Sequence, residues 1–296
     1  MRIHHLNCIS SCPLGGALMD GHSTGIRGRL ACHCLLIEAA DQLVLVDTGF
    51  GLRDVANPAA RIHAVFLRML DPDFREDMTA VSQIIRLGFA PSDVRHIVLT
   101  HLDFDHAGGL DDFPHATVHM LARERASALA RKTMLDRMRY RPQQWSTRAN
   151  WRVYEQTGGE SWYGFDCVRG LEGLPPEILL VPLLGHTLGH AGVAVDAGDH
   201  WLLHAGDAYF FHAEMDTYAP YCTPGLRWYQ TMMEKDRSAR LANQARLREL
   251  RRTQDNVRLF SAHDEREFVR LAGQPAQQPA ASPLRAAPER VSQMRS

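Results

Sequence analysis

The chain has 296 residues, of which 45% are hydrophobic and 23% charged, enough apolar material for one large core or two smaller ones. A formal net charge of -1 at pH 7 provides no global field that would favour nucleic acid or an anionic membrane. No apolar run approaches the roughly 20 residues of a membrane-spanning helix, and the N-terminus lacks the apolar stretch of a signal peptide. The composition therefore predicts a cytoplasmic protein whose 6 cysteines are free thiols.

Hydrophobic patterning predicts alternating strands and helices along the first half of the chain. Runs rich in Leu, Val and Ile that stop at turn residues indicate strands, and apolar residues spaced by three and four indicate helices. In chain order we expect strands over 29–39 and 42–49, helices over 60–70 and 79–88, strands over 94–100 and 116–120, and a helix over 121–139. Cys32 and Cys34 alternate within the first strand, which favours the core over a metal site for these thiols.

The second half begins with an aromatic segment and ends in a biased tail. Residues 140–176 carry tryptophans, tyrosines, Gly and Pro, and are expected to form an ordered loop region that walls a pocket. Beyond it we expect strands over 177–185, 190–198, 200–208 and 257–263, and helices over 226–252 and 264–272. Residues 273–296 are rich in Ala, Pro, Gln and Arg and are predicted to be a disordered tail. One α/β domain over 1–272 is favoured, because the candidate ligands fall in both halves.

Metal-competent side chains follow the ends of four predicted strands. The segment THLDFDHAGG, residues 100–109, supplies four of them, and later strands supply three more: His101, Asp103, Asp105, His106, His186, Asp207 and His263. Strands that converge at one edge would bring these groups to a pocket on a rigid support. Several nitrogen and oxygen ligands around an accessible cation are what a metal site requires.

The same segment resembles the H-x-H-x-D-H signature of the metallo-β-lactamase-fold hydrolases. LVDTG before it, and GHTLGH, GDA and SAHD after it, are similar to that family's other motifs and stand in the same order. Each short motif alone is weak, but the ordered set over residues 30 to 265 is specific. The resemblance implies a four-layer αβ/βα sandwich with two mixed β-sheets and a binuclear site for divalent metal ions.

The resemblance also implies which residue serves which ion. One ion would take His101, the residue at 103 and His186, and the other would take Asp105, His106 and His263. Asp207 would bridge the two ions. Zinc is the expected metal, with manganese and iron as the alternatives.

Asp103 departs from the family pattern, which has histidine at this position. Two interpretations stay open: Asp103 ligates through a carboxylate oxygen, or it is no ligand and the first site is weak or empty. Ligation is favoured, because a carboxylate is a competent ligand. Two divalent ions with Asp105, Asp207 and a bridging hydroxide leave one net positive charge, which Asp103 would cancel. We therefore expect Asp103 to hold the ions well and to soften their Lewis acidity.

The implied chemistry is hydrolysis of a carbonyl compound. A hydroxide that bridges the two ions would attack the carbonyl carbon, and the ions would stabilise the oxyanion that forms. Asp105 is expected both to ligate and to pass a proton to the leaving group. Tyr209, two residues after Asp207, is a candidate oxyanion donor, with aromatic packing in the YFF segment as an equally weighted alternative.

Within the superfamily the motifs look most like those of the N-acyl-homoserine lactonases, so the expected partner is a small molecule with a lactone or other ester bond. Two alternatives stay open: a thioester hydrolase of the glyoxalase II type, and a metal-binding member of the fold without hydrolysis. The neutral charge argues against nucleic acid as a partner. The charged helix over 226–252 could serve a homodimer, but covering a sheet is the favoured role.

Overall fold

The computed structural model describes residues 1–146 and 150–273. Two six-stranded mixed sheets form its centre. The first sheet contains, in both chain and spatial order, β1 (Arg2–Asn7), β2 (His33–Ala39), β3 (Gln42–Val46), β4 (Val94–Val98), β5 (Thr117–Leu121) and β6 (Trp151–Tyr154). Its first three strands are antiparallel, and the strands from β3 to β6 run parallel.

The second sheet is mostly antiparallel. It contains β7 (Glu160–Trp162), β8 (Phe165–Gly170), β9 (Ile178–Pro182), β10 (Ala191–Asp196), β11 (Trp201–His204) and β12 (Val257–Phe260). Its neighbours pair in the spatial order β12-β11-β10-β9-β8-β7, and among the described strands of this sheet only β11 and β12 pair in parallel.

Eleven α-helices of the described chain connect and cover these sheets. They are α1 (Ala17–Asp20), α2 (Leu52–Ala56), α3 (Pro58–Arg61), α4 (Ala64–Leu70), α5 (Ala80–Arg86), α6 (Phe104–Ala107), α7 (Ala122–Ala130), α8 (Met134–Arg139), α9 (Pro224–Met233), α10 (Arg237–Thr253) and α11 (Glu265–Ala272). Short 3-10 helices add Glu76–Met78, Pro91–Asp93, Gly108–Asp112, Pro142–Gln144 and His212–Met215.

The alternation of side chains along each strand builds the layers. In β3, Val44 and Val46 face the second sheet, whereas Leu43 and Leu45 face the helices on the other side. The second sheet has the same division, since Val193 of β10 joins the inter-sheet core and its neighbour Ala194 packs towards α10. Because a sheet that is apolar on both faces needs cover on both, this pattern produces helix, sheet, sheet and helix in sequence. The predicted four-layer α/β sandwich is confirmed.

The structure corrects three sequence-based expectations. The helix predicted over 121–139 is two helices, because the chain turns at Arg131, which adopts a left-handed backbone with φ 39°. The helix predicted over 226–252 also divides, since α9 ends at Met233 and Asp236 caps a new helix, α10. The aromatic segment 140–176 is not a loop alone: three of its stretches are strands that extend both sheets, β6, β7 and β8.

Other expectations are partly covered by the described residues. All 6 cysteines are free, and Cys32 and Cys34 are buried in the core as expected. Among the described helices, none combines the length and apolar character needed to cross a bilayer. The tail predicted over 273–296 lies, apart from Gly273, outside the described residues.

Candidate metal centre

The seven predicted ligands meet at one end of the sandwich. The first four follow β4 and begin α6, and the others follow β9, β11 and β12, so both sheets contribute. All seven are buried, with at most 6% of any residue exposed. We name His101, Asp103 and His186 the first half-site, and Asp105, His106 and His263 the second half-site. Asp207 lies between them.

The first half-site brings four potential ligand atoms close together. Oδ2 of Asp103 lies 3.3 Å from Nε2 of His101 and 3.1 Å from Nε2 of His186. Oδ2 of Asp207 lies 3.8 Å and 3.3 Å from the same two nitrogens. Ligand atoms bound to a tetrahedral cation at about 2.0–2.2 Å are roughly 3.3 Å apart. These distances are in the range that one divalent ion requires, although Nε2 of His186 also lies 2.8 Å from Nη2 of Arg139.

The second half-site has a matching arrangement around the other oxygen of Asp207. Oδ1 of Asp207 lies 3.3 Å from Nε2 of His106 and 3.2 Å from Nε2 of His263. The Asp105 carboxylate lies 4.0 Å from the first of these nitrogens and 3.7 Å from the second. Asp207 thus directs one oxygen towards each half-site, as a bridging ligand would.

Orphaned polar atoms support the fit to metal ions. Within the described part of the chain, Nε2 of His101, Nε2 of His106 and Oδ1 of Asp207 are buried without a hydrogen-bond partner. An unsatisfied buried polar atom is costly, so such atoms commonly mark a missing ion or water. All three atoms face the same small volume, and the residues present are those that divalent cations bind.

Hydrogen bonds fix the histidine rings of the centre. Nδ1 of His106 contacts Oδ2 of Asp47 at 2.8 Å, and Nδ1 of His263 contacts the carbonyl of Ala31 at 2.8 Å. Nδ1 of His101 lies 2.9 Å from the hydroxyl of Thr100. Since the outer nitrogen of each of these three rings is occupied in this way, its Nε2 is directed towards the shared volume. Nδ1 of the fourth ring, His186, is buried without a hydrogen-bond partner in the described residues.

Charges in the centre shift the protonation of these rings. Burial and the neighbouring His106 lower the pKa of His101 to about 4, so that its Nε2 is free to ligate at neutral pH. Burial opposes protonation of His106 as well, but Asp207 and Asp47 outweigh it and raise the pKa of His106 well above its usual value. The two carboxylates thus favour the protonated form of the His106 ring.

Asp207 is positioned by a tight turn after β11. Gly206 has φ 54°, and a Cβ atom there would lie only 2.6 Å from Nε2 of His190. The same nitrogen accepts a hydrogen bond from the backbone amide of Asp207 at 2.9 Å. The GDA motif thus needs glycine for a left-handed, close approach, and His190 supports the turn rather than joining the half-sites.

Glu124 of α7 connects the two loops that carry the first half-site. Its Oε1 accepts the backbone amide of Leu102 at 3.1 Å. Its Oε2 accepts the Thr187 hydroxyl at 2.6 Å and the Gly189 amide at 3.1 Å. A single buried carboxylate therefore holds the loop after β4 against the loop after β9.

Sequence reasoning missed Arg139, which lies fully buried beside Asp103. Nε of Arg139 donates to Oδ1 of Asp103 at 2.6 Å, and Nη2 donates to Oδ2. Although burial alone would raise the pKa of Asp103, Arg139 holds it well below its usual range. The only sequence signal was electrostatic, because a buried aspartate in place of a neutral histidine calls for a cation.

The expectation for Tyr209 needs correction. Its hydroxyl donates to the Glu267 carboxylate, 3.1 Å from Oε1 and 3.0 Å from Oε2, and its ring packs with the core on the α10 side of the second sheet. The next residue, Phe210, is the one that stacks on His263, with ring centroids 5.0 Å apart. Of the two roles that the sequence left open for Tyr209, this geometry favours aromatic packing.

Another tyrosine, Tyr229 of α9, is the one near the centre. Its ring meets Phe210 edge-on at 5.5 Å. Burial, together with the carboxylates of Asp105, Asp103 and Asp207, raises the pKa of Tyr229 well above its usual value. Its hydroxyl is therefore protonated and can donate a hydrogen bond. No local sequence motif indicates that Tyr229 lies near the centre, since α9 has the apolar spacing of an ordinary core helix.

The centre is almost closed. The cavity that borders His263 and Phe210 has a volume of about 10 Å³. A much larger cavity, about 730 Å³, lies along β1 and the end of α11 and includes none of the seven ligands. The chemistry of the side chains, not cavity size, identifies the functional site.

Comparison with known proteins places these residues in a family. The model of the metallo-beta-lactamase superfamily matches residues 27–263. A relative from Mycobacterium tuberculosis, named "Probable metallo-hydrolase", is 41% identical over 267 residues, which is 89% of this chain and 80% of the relative. An N-acyl homoserine lactonase of Bacillus thuringiensis is 26% identical over 191 residues, 62% of this chain and 68% of that protein.

Solved structures share the architecture. An N-acyl homoserine lactone hydrolase with the product N-hexanoyl-L-homoserine at its catalytic metal centre has a TM-score of 0.67 at 21% identity, covering 93% of this chain and 97% of that one. A dizinc quorum-quenching lactonase has a TM-score of 0.56 at 14% identity, covering 88% and 86%. At these identities the likeness concerns the fold, and the family match over most of the sequence shows that this chain belongs to the metallo-beta-lactamase superfamily.

Proposed function

We propose that this chain is a metal-dependent hydrolase that opens a lactone or cleaves another small ester, with one divalent ion in each half-site. The observation that carries the proposal is Asp207, whose two oxygens each face a separate group of ligand atoms at 3.2 to 3.8 Å. One bridging carboxylate between two such groups is the geometry expected for paired cations. The dizinc centre of the lactonase with the same fold supports this number of ions.

Divalent ions bound here would lower the pKa of a bound water molecule towards neutrality and polarise the carbonyl oxygen of the substrate. The residues of the chain perform the remaining tasks. Asp105, at the edge of the second half-site, is proposed to accept the proton of that water and to deliver it to the leaving alkoxide. Thr100, Asp47 and Ala31 hold the rings of His101, His106 and His263 in place.

Substrate positioning falls to the aromatic side chains over the centre. Tyr229 is proposed to donate its hydroxyl hydrogen to the carbonyl oxygen, the role expected of Tyr209 from the sequence. Phe210 and Leu226, which border the small cavity beside His263, would contact the apolar part of the ester.

The test compares metal-free and metal-loaded protein on three substrates: an N-acyl homoserine lactone, a thioester and an aryl ester. Hydrolysis of the lactone that disappears on chelation and returns with Zn²⁺ would support the proposal. Preference for the thioester would move the function to the glyoxalase II type. Metal binding without turnover of any of the three would indicate a binding protein.

The number and identity of the ions need a separate measurement. Elemental analysis of protein purified without added metal should give about two divalent ions per chain, with zinc as the main species. A single ion per chain after saturation with zinc would contradict the binuclear proposal. A protein in which manganese or iron restores more activity than zinc would change the metal and leave the reaction unchanged.

A further inference from the structure

Arg139 places a permanent positive charge inside the first half-site. Its guanidinium meets Asp103 in a two-point contact, and its Nη2 also donates to Nε2 of His186 at 2.8 Å. None of the side chain is exposed. A guanidinium remains protonated throughout the pH range in which proteins fold, so this charge cannot be removed by burial.

The guanidinium is held in place independently of any ion. Nη1 donates to the carbonyl of Met233 at 2.6 Å, and the backbone of Tyr140, the next residue, bridges to the backbone of Asp103. The end of α8 is thereby fixed against the loop that carries the first half-site. Arg139 cannot turn away without leaving its donors unsatisfied in the interior. Because Nε2 of a neutral imidazole has one lone pair, Arg139 competes with an ion for His186, and the contact must break before His186 can ligate.

The second half-site differs in charge. Its carboxylate, Asp105, lies 4.0 and 3.7 Å from the rings of His106 and His263, and it forms no ion pair with Lys or Arg in the described structure. Two divalent ions with Asp105, Asp207 and one hydroxide leave a single positive charge. Asp103 alone would cancel that charge, and Arg139 restores it.

We propose that Asp103 and Arg139 form one neutral unit, which replaces a neutral histidine as the ligand of the first half-site. Arg139 draws electron density from the Asp103 carboxylate, so that this oxygen ligates without lowering the electrophilicity of the ion. Arg139 is a positioning residue that weakens ion binding and favours reactivity. This inference rests on the proposed metal-dependent function and reverses the expectation that Asp103 softens the Lewis acidity.

The experiment measures zinc affinity and turnover separately. Zinc dissociation constants are determined by competition with a chromophoric chelator, in a His263→Ala background that disables the second half-site. Arg139→Gln removes the charge and keeps a hydrogen-bond donor, whereas Arg139→Lys keeps the charge. We expect Arg139→Gln to bind zinc at least about tenfold more tightly, because a unit charge a few ångströms away is worth more than one tenfold step at intermediate dielectric.

Turnover should move in the opposite direction. With His263 intact, Arg139→Gln should hydrolyse the best substrate at least about tenfold more slowly at saturating zinc, and Arg139→Lys should lie between it and the unmodified protein. A merely structural role for Arg139 would lower affinity and turnover together. Unchanged or weaker zinc binding by folded Arg139→Gln would overturn the inference.

Arg61 provides a matched control. It forms a buried ion pair with Asp54, Nε to Oδ1 at 2.6 Å, outside both half-sites. Arg61→Gln should lower thermal stability and leave the zinc dissociation constant unchanged. Tighter zinc binding by this control as well would show that the effect is not specific to Arg139, and would overturn the inference.

A second pair of variants decides the question if Arg139→Gln does not fold. Asp103→His leaves Arg139 uncompensated next to a neutral ligand and should lose zinc from the first half-site. The double variant Asp103→His with Arg139→Gln is neutral again and should regain it. Equal zinc binding by both variants would refute the neutral unit. Unmodified protein that binds no metal would instead refute the proposed function itself.

Discussion

The two half-sites lie on either side of the Asp207 carboxylate and differ in how their own carboxylates are compensated. Asp103 accepts two hydrogen bonds from the guanidinium of Arg139. Among the described residues, Asp105 has only the imidazole rings of His263 and His106 nearby as candidate cations, at 3.7 and 4.0 Å. Under the proposed assignment, aspartate can stand where the family signature has histidine because a cation elsewhere in the fold compensates its charge. That cation lies 36 residues further along the chain and follows no spacing rule.

The largest expected effect comes from the residue that the half-sites share. Asp207→Ala should lower kcat by about 10³-fold or more, because it removes one ligand from each proposed ion. Elemental analysis should show loss of both ions. Retention of one tightly bound ion would mean that one half-site binds its ion without Asp207, and would contradict a shared ligand.

Asp103→Asn and Asp105→Asn should differ in how much they lower the free energy of unfolding. Asp103→Asn leaves the Arg139 charge buried without its anion, which should cost about 3–5 kcal/mol. Asp105→Asn should cost less than about 1 kcal/mol, because no buried guanidinium depends on it in the described structure. Urea denaturation of the metal-free variants measures both values. Equal losses would contradict the assigned roles of the two carboxylates.

Glu267 is a third buried carboxylate, and no cation compensates it through a hydrogen bond in the described structure. Its hydrogen bonds come from neutral donors, the Tyr209 hydroxyl and the Ser261 amide. Burial and the nearby Asp264 raise its pKa from 4.5 to about 8. Its contribution to stability is therefore complete below pH 4.5 and is lost as the pH rises through 8.

Glu267→Gln should remove that pH dependence. Between pH 5 and 9 the unmodified protein should lose on the order of 3 kcal/mol more than the variant, as measured by denaturant unfolding at each pH. Arg61→Gln, which changes a different buried pair, should keep the original slope. Identical slopes for Glu267→Gln and the unmodified protein would show that Glu267 is ionised in the folded state.

The smallest effect separates the two tyrosines. Tyr229→Phe should lower kcat/KM for the best substrate by about tenfold, because one neutral hydrogen bond to the carbonyl oxygen is lost. Tyr209→Phe should leave kcat/KM unchanged and reduce stability by about 1 kcal/mol through the loss of its contact with Glu267. Reversed results would restore the role first expected for Tyr209.

The sandwich was predictable because strand alternation and polar strand ends are encoded locally. The runs around Leu43–Val46 and Val193–Ala194 specify which faces are covered, and the motif after β4 specifies where ligands stand. The strand β1 was missed because RIHHLN carries charged and histidine side chains that hide its pairing with β2. The helix breaks at Arg131 and Asp236 were missed because they lie within continuous helical patterns.

Long-range compensation was beyond the reach of local patterns. Arg139 ends a helix in the sequence and gives no sign of facing Asp103, and Tyr229 looks like one more apolar position of α9. Tyr209 and Phe210 are adjacent, so that a one-residue difference in the turn after β11 decides which ring meets the centre. Such choices depend on tertiary packing and not on residue type.

The carboxylate of Glu124, which ties the loop after β4 to the loop after β9, has a consequence for loading. Because Glu124 holds the two loops together, they do not need bound metal ions to keep their conformation. Vacant protein should therefore accept ions with little rearrangement, and backbone amide exchange in the two loops should be nearly the same before and after loading. Glu124→Ala removes these hydrogen bonds, so the same amides should exchange rapidly in the metal-free variant and more slowly once metal ions are bound.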